Sequence, residues 1–252
     1  MIDKLEKILV SSGFKPLEKS VLENFSHYYQ AVCTANEVMN LTTLTTPEAF
    51  IKKHILDSLY LLNYLQPGEK VLDLGSGLGV PGLVLKLAKP ELNLSVIDAL
   101  EKRIKFLEQM VATFNLETVE MRHGRFEDLG REKDLREAYD LTLARGVADL
   151  PVLLEYALPF TKVGGRFIAM KGANVEDEVE RSLLAIGFLG GRLEKVEFYT
   201  LPDGEKRALV IITKNAHTPD TYPRKPKMIK NKPLENQFFE IKIGLKKKIS
   251  GF

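Results

Sequence analysis

Apolar residues in "LEKSVLENFSHYYQAV" recur at three- and four-residue steps, at Leu17, Val21, Phe25, Tyr28 and Val32, which is one stripe of an amphipathic helix. The stretch "TTPEAFIKKHILDSLYLLNYL" continues in kind, with Thr46 as an N-cap, Pro47 at the first helical position and Glu48 in the first turn. Residues 1–66 are therefore expected to form an N-terminal helical subdomain, stopped by Gln66-Pro67-Gly68.

From Lys70 the period changes. Short apolar runs ("KVLDL", "LNLSVIDA", "TVEMRHG", "YDLTLAR", "GGRFIAMKG") alternate with amphipathic ones ("VPGLVLKLAK", "EKRIKFLEQMVATF", "DLPVLLEYALPF", "NVEDEVERSLLAIGF"). Strand–helix alternation of this kind predicts an α/β fold, a doubly wound, mostly parallel sheet whose ligands sit outside the C-terminal ends of the strands. "GRLEKVEFYTL" and "EKRALVIITK", joined by "PDG", predict an antiparallel hairpin that completes seven strands within a core of residues 67–215. Beyond Asn215 proline and lysine dominate and no periodicity survives, so residues 216–252 read as a separate C-terminal arm.

Composition narrows this picture. The chain has 252 residues, 44% hydrophobic and 28% charged, enough for one large domain with a substantial core. No apolar stretch approaches the roughly 18 residues of a membrane span, and "MIDKLEKILVSSG" is unlike a signal peptide, so a cytoplasmic protein is expected. The single cysteine, Cys33, excludes an internal disulfide and a multi-cysteine zinc site, and no His, Cys and carboxylate cluster suggests a metal. The net charge of +2 is unevenly divided: residues 222–252 carry nine Lys or Arg and two acids, so a basic arm extends from a mildly acidic body. Such an arm suits a polyanionic partner or, equally, a solvated tail.

Candidate chemistry begins where the first strand hands over to its helix, in "VLDLGSGLGVPG". Glycines there allow backbone angles closed to other residues and close approach of a ligand to the main chain. The dinucleotide fingerprint would need glycine where Val80 stands. The residues instead spell Asp73-x-Gly75-x-Gly77-x-Gly79, with Ser76 inside the turn; an acid there would repel a pyrophosphate and suit the ammonium of an amino-acid ligand. This resembles the first motif of the S-adenosylmethionine-dependent methyltransferases of the doubly wound class. Asp98, followed by Ala99, ends the second strand, where an acid can bond ribose hydroxyls or, alternatively, cap the next helix. Phe126 and Glu127 follow the third strand at the place of the adenine ring, although Glu127 also reads as a surface carboxylate. Arg145 ends the fourth strand, placed to hold the methionine carboxylate or an RNA phosphate, or simply exposed. His54 and Asp57, at i and i+3, read as a helix-surface pair.

The acceptor is narrowed by absences. "RGVADL" is not an Asn-Pro-Pro-Tyr type of motif, and Cys33 lies far upstream in a helix, so neither an exocyclic amine nor thiolate attack on a pyrimidine is supported. "NLT" (Asn40–Thr42), "KHILDS" (Lys53–Ser58), "GVPG", "DALEKRIKFL", "LARGVADL", "AMKG", "DGEKRALVII" and "YPRKPKMIKNKPL" occur in one order over residues 1 to about 234. Together they resemble the glucose-inhibited division protein B family, the bacterial small-subunit (16S) ribosomal RNA guanine-N7 methyltransferases.

That resemblance implies a class I, Rossmann-like methyltransferase core with S-adenosylmethionine as donor, S-adenosylhomocysteine as product and no metal. The cofactor contacts it implies are Gly75, Val80, Phe126 with Glu127, and Arg145, with Asp98 as the ribose acid; the readings of the glycine turn and the second strand's end add Asp73, Ser76, Gly77, Gly79 and Ala99 to the expected cofactor set. The partner it implies is 16S ribosomal RNA or a small-subunit assembly intermediate; the lack of a heptad seam or long apolar surface helix makes a monomer the expectation. Guanine N7 needs no base to prepare it, so catalysis should rest on alignment, with Arg145 and Lys171 positioning RNA near the donor. Arg224, Lys225, Lys227, Lys230 and Lys232, among prolines, are expected to follow the RNA backbone as an extended strand, and truncation after Asn215 is expected to spare donor binding. Phe238 and Phe239 are expected to pack on the body or, alternatively, to stack on bases. Two departures from the family stand out: glycine in "RGVA", and the extension over residues 235–252.

Overall fold

The computed structural model describes residues 1–235; the expectations for Phe238, Phe239 and the final extension fall outside them. Helices α1 (Ile2–Ser11) and α2 (Lys19–Met39) open the chain, and α2 stops at Asn40 in the left-handed conformation. A second helical run follows as α3 (Pro47–Phe50), a wider π-type segment (Ile51–Leu56), α4 (Asp57–Leu59) and a 3-10 segment (Tyr60–Tyr64). Thr46 caps this run, its hydroxyl accepting from the Ala49 N–H at 3.4 Å with Pro47 in the first turn, as the spacing implies. The π segment carries Lys53 and His54, and such widened turns concentrate at functional sites.

The α/β body then runs β1 (Lys70–Leu74), α5 (Gly82–Ala88), β2 (Asn93–Asp98), α6 (Glu101–Thr113), β3 (Val119–His123), α7 (Phe126–Leu129), β4 (Tyr139–Arg145) and α8 (Leu150–Ala157). It continues with β5 (Thr161–Gly172), α9 (Glu176–Phe188), β6 (Gly191–Thr200), β7 (Lys206–Lys214) and α10 (Pro226–Asn231). The sheet order is β3-β2-β1-β4-β5-β7-β6. The β3-β2-β1-β4-β5 pairs are parallel, whereas β7 is antiparallel to both β5 and β6. The hairpin forms as its turn predicts, with its second strand inserted next to β5. Val71 on one face and Leu72 and Leu74 on the other head two separate cores, the period of two expected of a sheet buried on both sides.

One core joins β1, β2 and β4 to α5 and α6 and also takes in Leu5, Leu9, Phe25, Tyr28, Phe50 and Ile55, so the N-terminal helices share the body's hydrophobic interior. The other packs α8 and α9 against the sheet and ends on Leu234, near the last described residue. Ile229 and Leu234 are both buried, and burial of such side chains is worth about 1.5–3 kcal/mol each, enough to offset part of the cost of ordering an irregular segment. Residues 216–235 therefore lie against the body, folded as a strap with one short helix, instead of the extended arm that the proline spacing predicts. No helix among the described residues is long and apolar enough to cross a membrane.

Candidate active site

Strand β1 lies between β2 and β4, so the loops leaving their C-terminal ends converge. Gly75, Gly77 and Gly79 adopt φ of 71°, 61° and 113°, all in the region that strains other residues. At Gly75 space is limiting too, because a Cβ would lie 2.8 Å from Val147 Cγ2 and 3.4 Å from Phe126 Cζ. The bare backbone thus lets the β1 turn close on the loops after β3 and β4. Its hydrogen bonds run inward: Gly75 N–H donates to Ile97 O at 2.7 Å, and the N–H groups of Gly79 and Val80 donate to Ser76 O at 2.8 and 3.0 Å. Tyr28 of α2, fully buried, donates its hydroxyl to Leu78 O at 2.8 Å, so an N-terminal helix braces the turn.

The two acids flanking the turn serve it from behind. Asp73 is fully buried, and its Oδ2 accepts the Gly82 N–H at 2.8 Å, capping α5. It does not border an open cavity, which corrects the expectation that it faces the ligand. Burial pushes its carboxyl up to about 6, against the opposing influence of the nearby Ser76 hydroxyl, the Gly82 N–H and Arg145. Asp73 Oδ1 and Ser76 Oγ, both buried, have no hydrogen-bond partner among the described residues. Asp98, 2% exposed, accepts from Gly77 N–H at 3.1 Å, from Leu100 N–H at 2.9 Å and from Arg103 at 3.4 Å. Asp98 is therefore not the N-cap weighed for it, since α6 starts after Leu100 with no side-chain cap; its carboxylate instead ties the glycine turn to the chain leading into that helix.

Beside the turn opens a cavity of about 520 Å³, lined by Ala99, Arg125, Phe126, Glu127, Asp128, Val147, Ala148, Val152, Tyr156, Pro226 and Lys230. Of the expected cofactor set, Ala99, Phe126 and Glu127 line it directly. The rings of Phe126 and Tyr156 lie 5.4 Å apart. The Glu127 carboxylate is 6% exposed and so is not the surface group that spacing alone allowed. Gly75, Ser76, Gly77, Gly79 and Val80 form the neighbouring turn.

Arg145 points the other way. Its guanidinium donates to Lys53 O at 2.7 Å, to Asp57 Oδ2 at 2.9 Å and to His54 Nδ1 at 2.7 Å. Asp57 also accepts from the Tyr199 hydroxyl at 2.5 Å, with the Arg207 guanidinium 3.8 Å away. His54 and Asp57 are buried, so they are not a surface pair, and the helix face they share with Ile51 and Ile55 is the clue that spacing alone did not decide. Burial, reinforced by Arg145, drives the His54 imidazole down to about 3. These groups, with Lys53, Gly146, Lys171 and Arg207, line a second cavity of about 250 Å³. Lys171 donates to Glu178 Oε2 at 2.6 Å and to Ala148 O at 2.7 Å. Both cations expected to position RNA are therefore paired within the chain, Arg145 with Asp57 and Lys171 with Glu178. Gly146, at φ 65°, turns the chain between the two cavities with open space where its Cβ would be, so its angle explains the glycine better than its size.

The arm needs a further correction. Arg224 is bound to the fully buried Glu155 of α8, its Nε lying 2.9 and 3.0 Å from the two carboxylate oxygens and its terminal nitrogen 2.7 Å from Oε2, so it is not free for phosphate. Lys225, Lys227, Lys230 and Lys232 are exposed. Pro226 and Lys230 wall the larger cavity, so removing everything after Asn215 would open it. Tyr156 and Tyr199 lie outside every family motif quoted above, and Val147 and Arg207, although inside "LARGVADL" and "DGEKRALVII", receive no role from them, because elements distant in sequence bring these residues to the site.

Comparison with known proteins agrees with this geometry. The rRNA small subunit methyltransferase G (GidB) family matches residues 21–210. The chain is 42% identical over 236 residues to the ribosomal RNA small subunit methyltransferase G of Acetivibrio thermocellus, covering 92% of this chain and 97% of that protein. It is 40% identical over 229 residues to that of Leuconostoc mesenteroides, covering 89% and 96%. Among solved structures, one from Klebsiella pneumoniae assigned as an O-methyltransferase superposes with a TM-score of 0.55 at 14% identity, over 84% of this chain and 96% of that one. Geranyl diphosphate C-methyltransferase from Streptomyces coelicolor, solved with Mg2+, geranyl diphosphate and S-adenosyl-L-homocysteine, gives 0.50 at 15% identity, over 74% and 98%. These likenesses establish the seven-stranded methyltransferase fold, and with the family match the chain belongs to the rRNA small subunit methyltransferase G family.

Proposed function

We propose that the protein transfers a methyl group from S-adenosylmethionine to N7 of a guanine in small-subunit (16S) ribosomal RNA. One observation carries the reading: a nucleoside-sized cavity with an aromatic pair and a buried carboxylate adjoins a turn of three left-handed glycines at the carboxyl ends of β1, β2 and β4. The residues fit the donor. Phe126 and Tyr156 offer apolar faces to a purine, and Glu127 offers an acceptor to its amine or ribose donors. When bound, S-adenosylmethionine supplies an electrophilic methyl on a sulfonium.

The chain's own residues then align and shield. Guanine N7 carries a free lone pair, so no general base is required, and in-line placement can contribute about 7 kcal/mol or more. The loop Arg145–Ala148 borders both cavities, Arg145 and Gly146 on one side and Val147 and Ala148 on the other. We assign the smaller, cation-lined cavity to the acceptor. There Arg145 and Lys171, held by Asp57 and Glu178, act as fixed dipolar walls with little free charge, and Lys53 and Arg207 complete the lining. The four exposed strap lysines offer phosphate contacts beside the larger cavity. Incubation of the protein with tritiated donor and small-subunit RNA from cells lacking it should label a single guanine, and borohydride–aniline cleavage should locate the methyl at N7. Label on another atom, or none, refutes the assignment.

A further inference from the structure

The C-terminal strap is fastened more heavily than a surface tail needs. Arg136 donates to the carbonyls of Thr218, at 2.8 Å, and Tyr222, at 2.9 Å, and Arg131 donates to those of Asp220 and Thr221 at 3.4 and 3.1 Å. Lys214, fully buried, donates to the Thr218 hydroxyl at 2.6 Å. Ile229 and Leu234 are buried beyond them. At the centre stands the Arg224–Glu155 pair, in which Glu155 also accepts the Arg224 main-chain N–H at 2.6 Å. A charge pair this deep is weak as a source of stability and strong as a fixer of register, because only one placement of the strap satisfies both groups.

The residues set by that register are the next ones along. Arg224 bonds Lys232 O at 3.0 Å, closing the loop that contains α10, and from this loop Pro226 and Lys230 project as one wall of the larger cavity. On α8, Glu155 is followed by Tyr156 and preceded by Val152, which supply the facing wall. We propose that Arg224, through Glu155, is a positioning residue for the methyl donor: the strap is the fourth side of the donor cavity, and the ion pair locks it there. This rests on the assignment of that cavity to the donor.

The test uses full-length protein and S-adenosylhomocysteine as probe. Wild type should bind it by calorimetry and, on binding, become resistant to trypsin after Lys227 and Lys230. Arg224→Gln should bind about tenfold more weakly and lose that protection, while Arg224→Lys recovers part of both. With RNA and donor, Arg224→Gln should raise the donor KM with kcat nearly kept at saturation, a split that general destabilisation does not produce. If Arg224→Gln does not fold, Pro226→Ala with Lys230→Ala, both at exposed positions, should weaken the probe severalfold. Equal affinity in every folded variant, with cleavage indifferent to the probe, overturns the proposal while leaving the donor site standing. Failure of the wild type to bind the probe at all removes the donor-site assignment itself and this inference with it.

Discussion

Arg145, the last residue of β4, donates to Nδ1 of His54 at 2.7 Å, and that single bond decides the imidazole's state. A guanidinium has only donors, so Nδ1 must accept and Nε2 must carry the proton, which it gives to Thr42 Oγ1 at 2.9 Å. Thr42 Oγ1 accepts the Leu44 N–H at 3.0 Å as well. A chain from "NLT" through the π segment to β4 thus holds a neutral histidine against the second cavity, and protonating it would set a new N–H against the Arg145 donor.

The pH dependence of stability follows, with opposite signs at two residues. His54 is depressed from 6.5 to about 3 in the fold, so the unfolded chain binds its proton more readily between those values, and its contribution is lost as pH falls through that window. Asp73 is raised from 3.8 to about 6, so its contribution is present below 3.8 and lost as pH rises to 6. Each limiting slope is about 1.4 kcal/mol per pH unit, and over the overlap they oppose one another. Urea unfolding from pH 4 to 6 should therefore show stability falling more steeply with rising pH in His54→Gln than in the parent, and rising more steeply in Asp73→Asn. Parallel profiles for all three proteins would exclude the assigned protonation states.

Asp57 gives the sharpest stability prediction. It is 2% exposed and receives Arg145 at 2.9 Å and the Tyr199 hydroxyl, joining the N-terminal helices to β4 and β6. Asp57→Ala leaves a largely buried guanidinium unpaired and should cost about 3–5 kcal/mol in chemical unfolding. A loss below about 1 kcal/mol would mean the pair is solvated like a surface one.

How much of this was readable beforehand differs by level. Short apolar runs set between amphipathic stretches, with the turn signal of the hairpin, marked every strand of the sheet, and the glycine spacing marked the turn, because both are local in the chain. The partners of Arg145 were not readable: His54 and Asp57 lie about 90 residues away, and a spacing of i, i+3 is compatible with a surface or a core face. The strap was misread for a related reason. Its prolines and lysines suggest an extended solvated chain, whereas Glu155, Arg136 and Arg131, three donors or acceptors supplied by the body, decide its course. Glu155 in "VLLEYALPF" was a lone acid on an apolar helix, the one local hint that a cation must come to meet it.

Gly75 should be nearly intolerant of a side chain. Gly75→Ala combines a φ of 71° with a 2.8 Å approach to Val147 Cγ2. The angle alone costs about 1–2 kcal/mol, and the clash would push apart the turn and the loop between the cavities. Thermal unfolding should drop, and S-adenosylhomocysteine binding should fall further than stability does. Adding Val147→Ala should recover the part due to the clash and leave the part due to the angle. Full recovery in the double variant would show that backbone angle is not a constraint there.

The strap lysines lead to the last expectation, which separates them from Arg224. Lys225, Lys227 and Lys232 are exposed, with no counter-ion recorded among the described residues, whereas Arg224 is committed to Glu155. Phosphate contacts displace condensed counter-ions, and each lost contact lowers the slope of log affinity against log salt by about 0.7 on single-stranded and about 0.9 on duplex nucleic acid. Replacing the three lysines by alanine should therefore weaken small-subunit RNA binding and flatten its salt dependence by about two to three units, with S-adenosylhomocysteine affinity unchanged. Arg224→Gln should show the reverse, a small change in salt slope and a large loss of probe affinity, because its charge is already neutralised inside the protein. If both variants shift the salt slope equally, Arg224 leaves Glu155 when RNA binds; if neither does, RNA is held by the cavity rim around Lys53 and Arg207 and not by the strap.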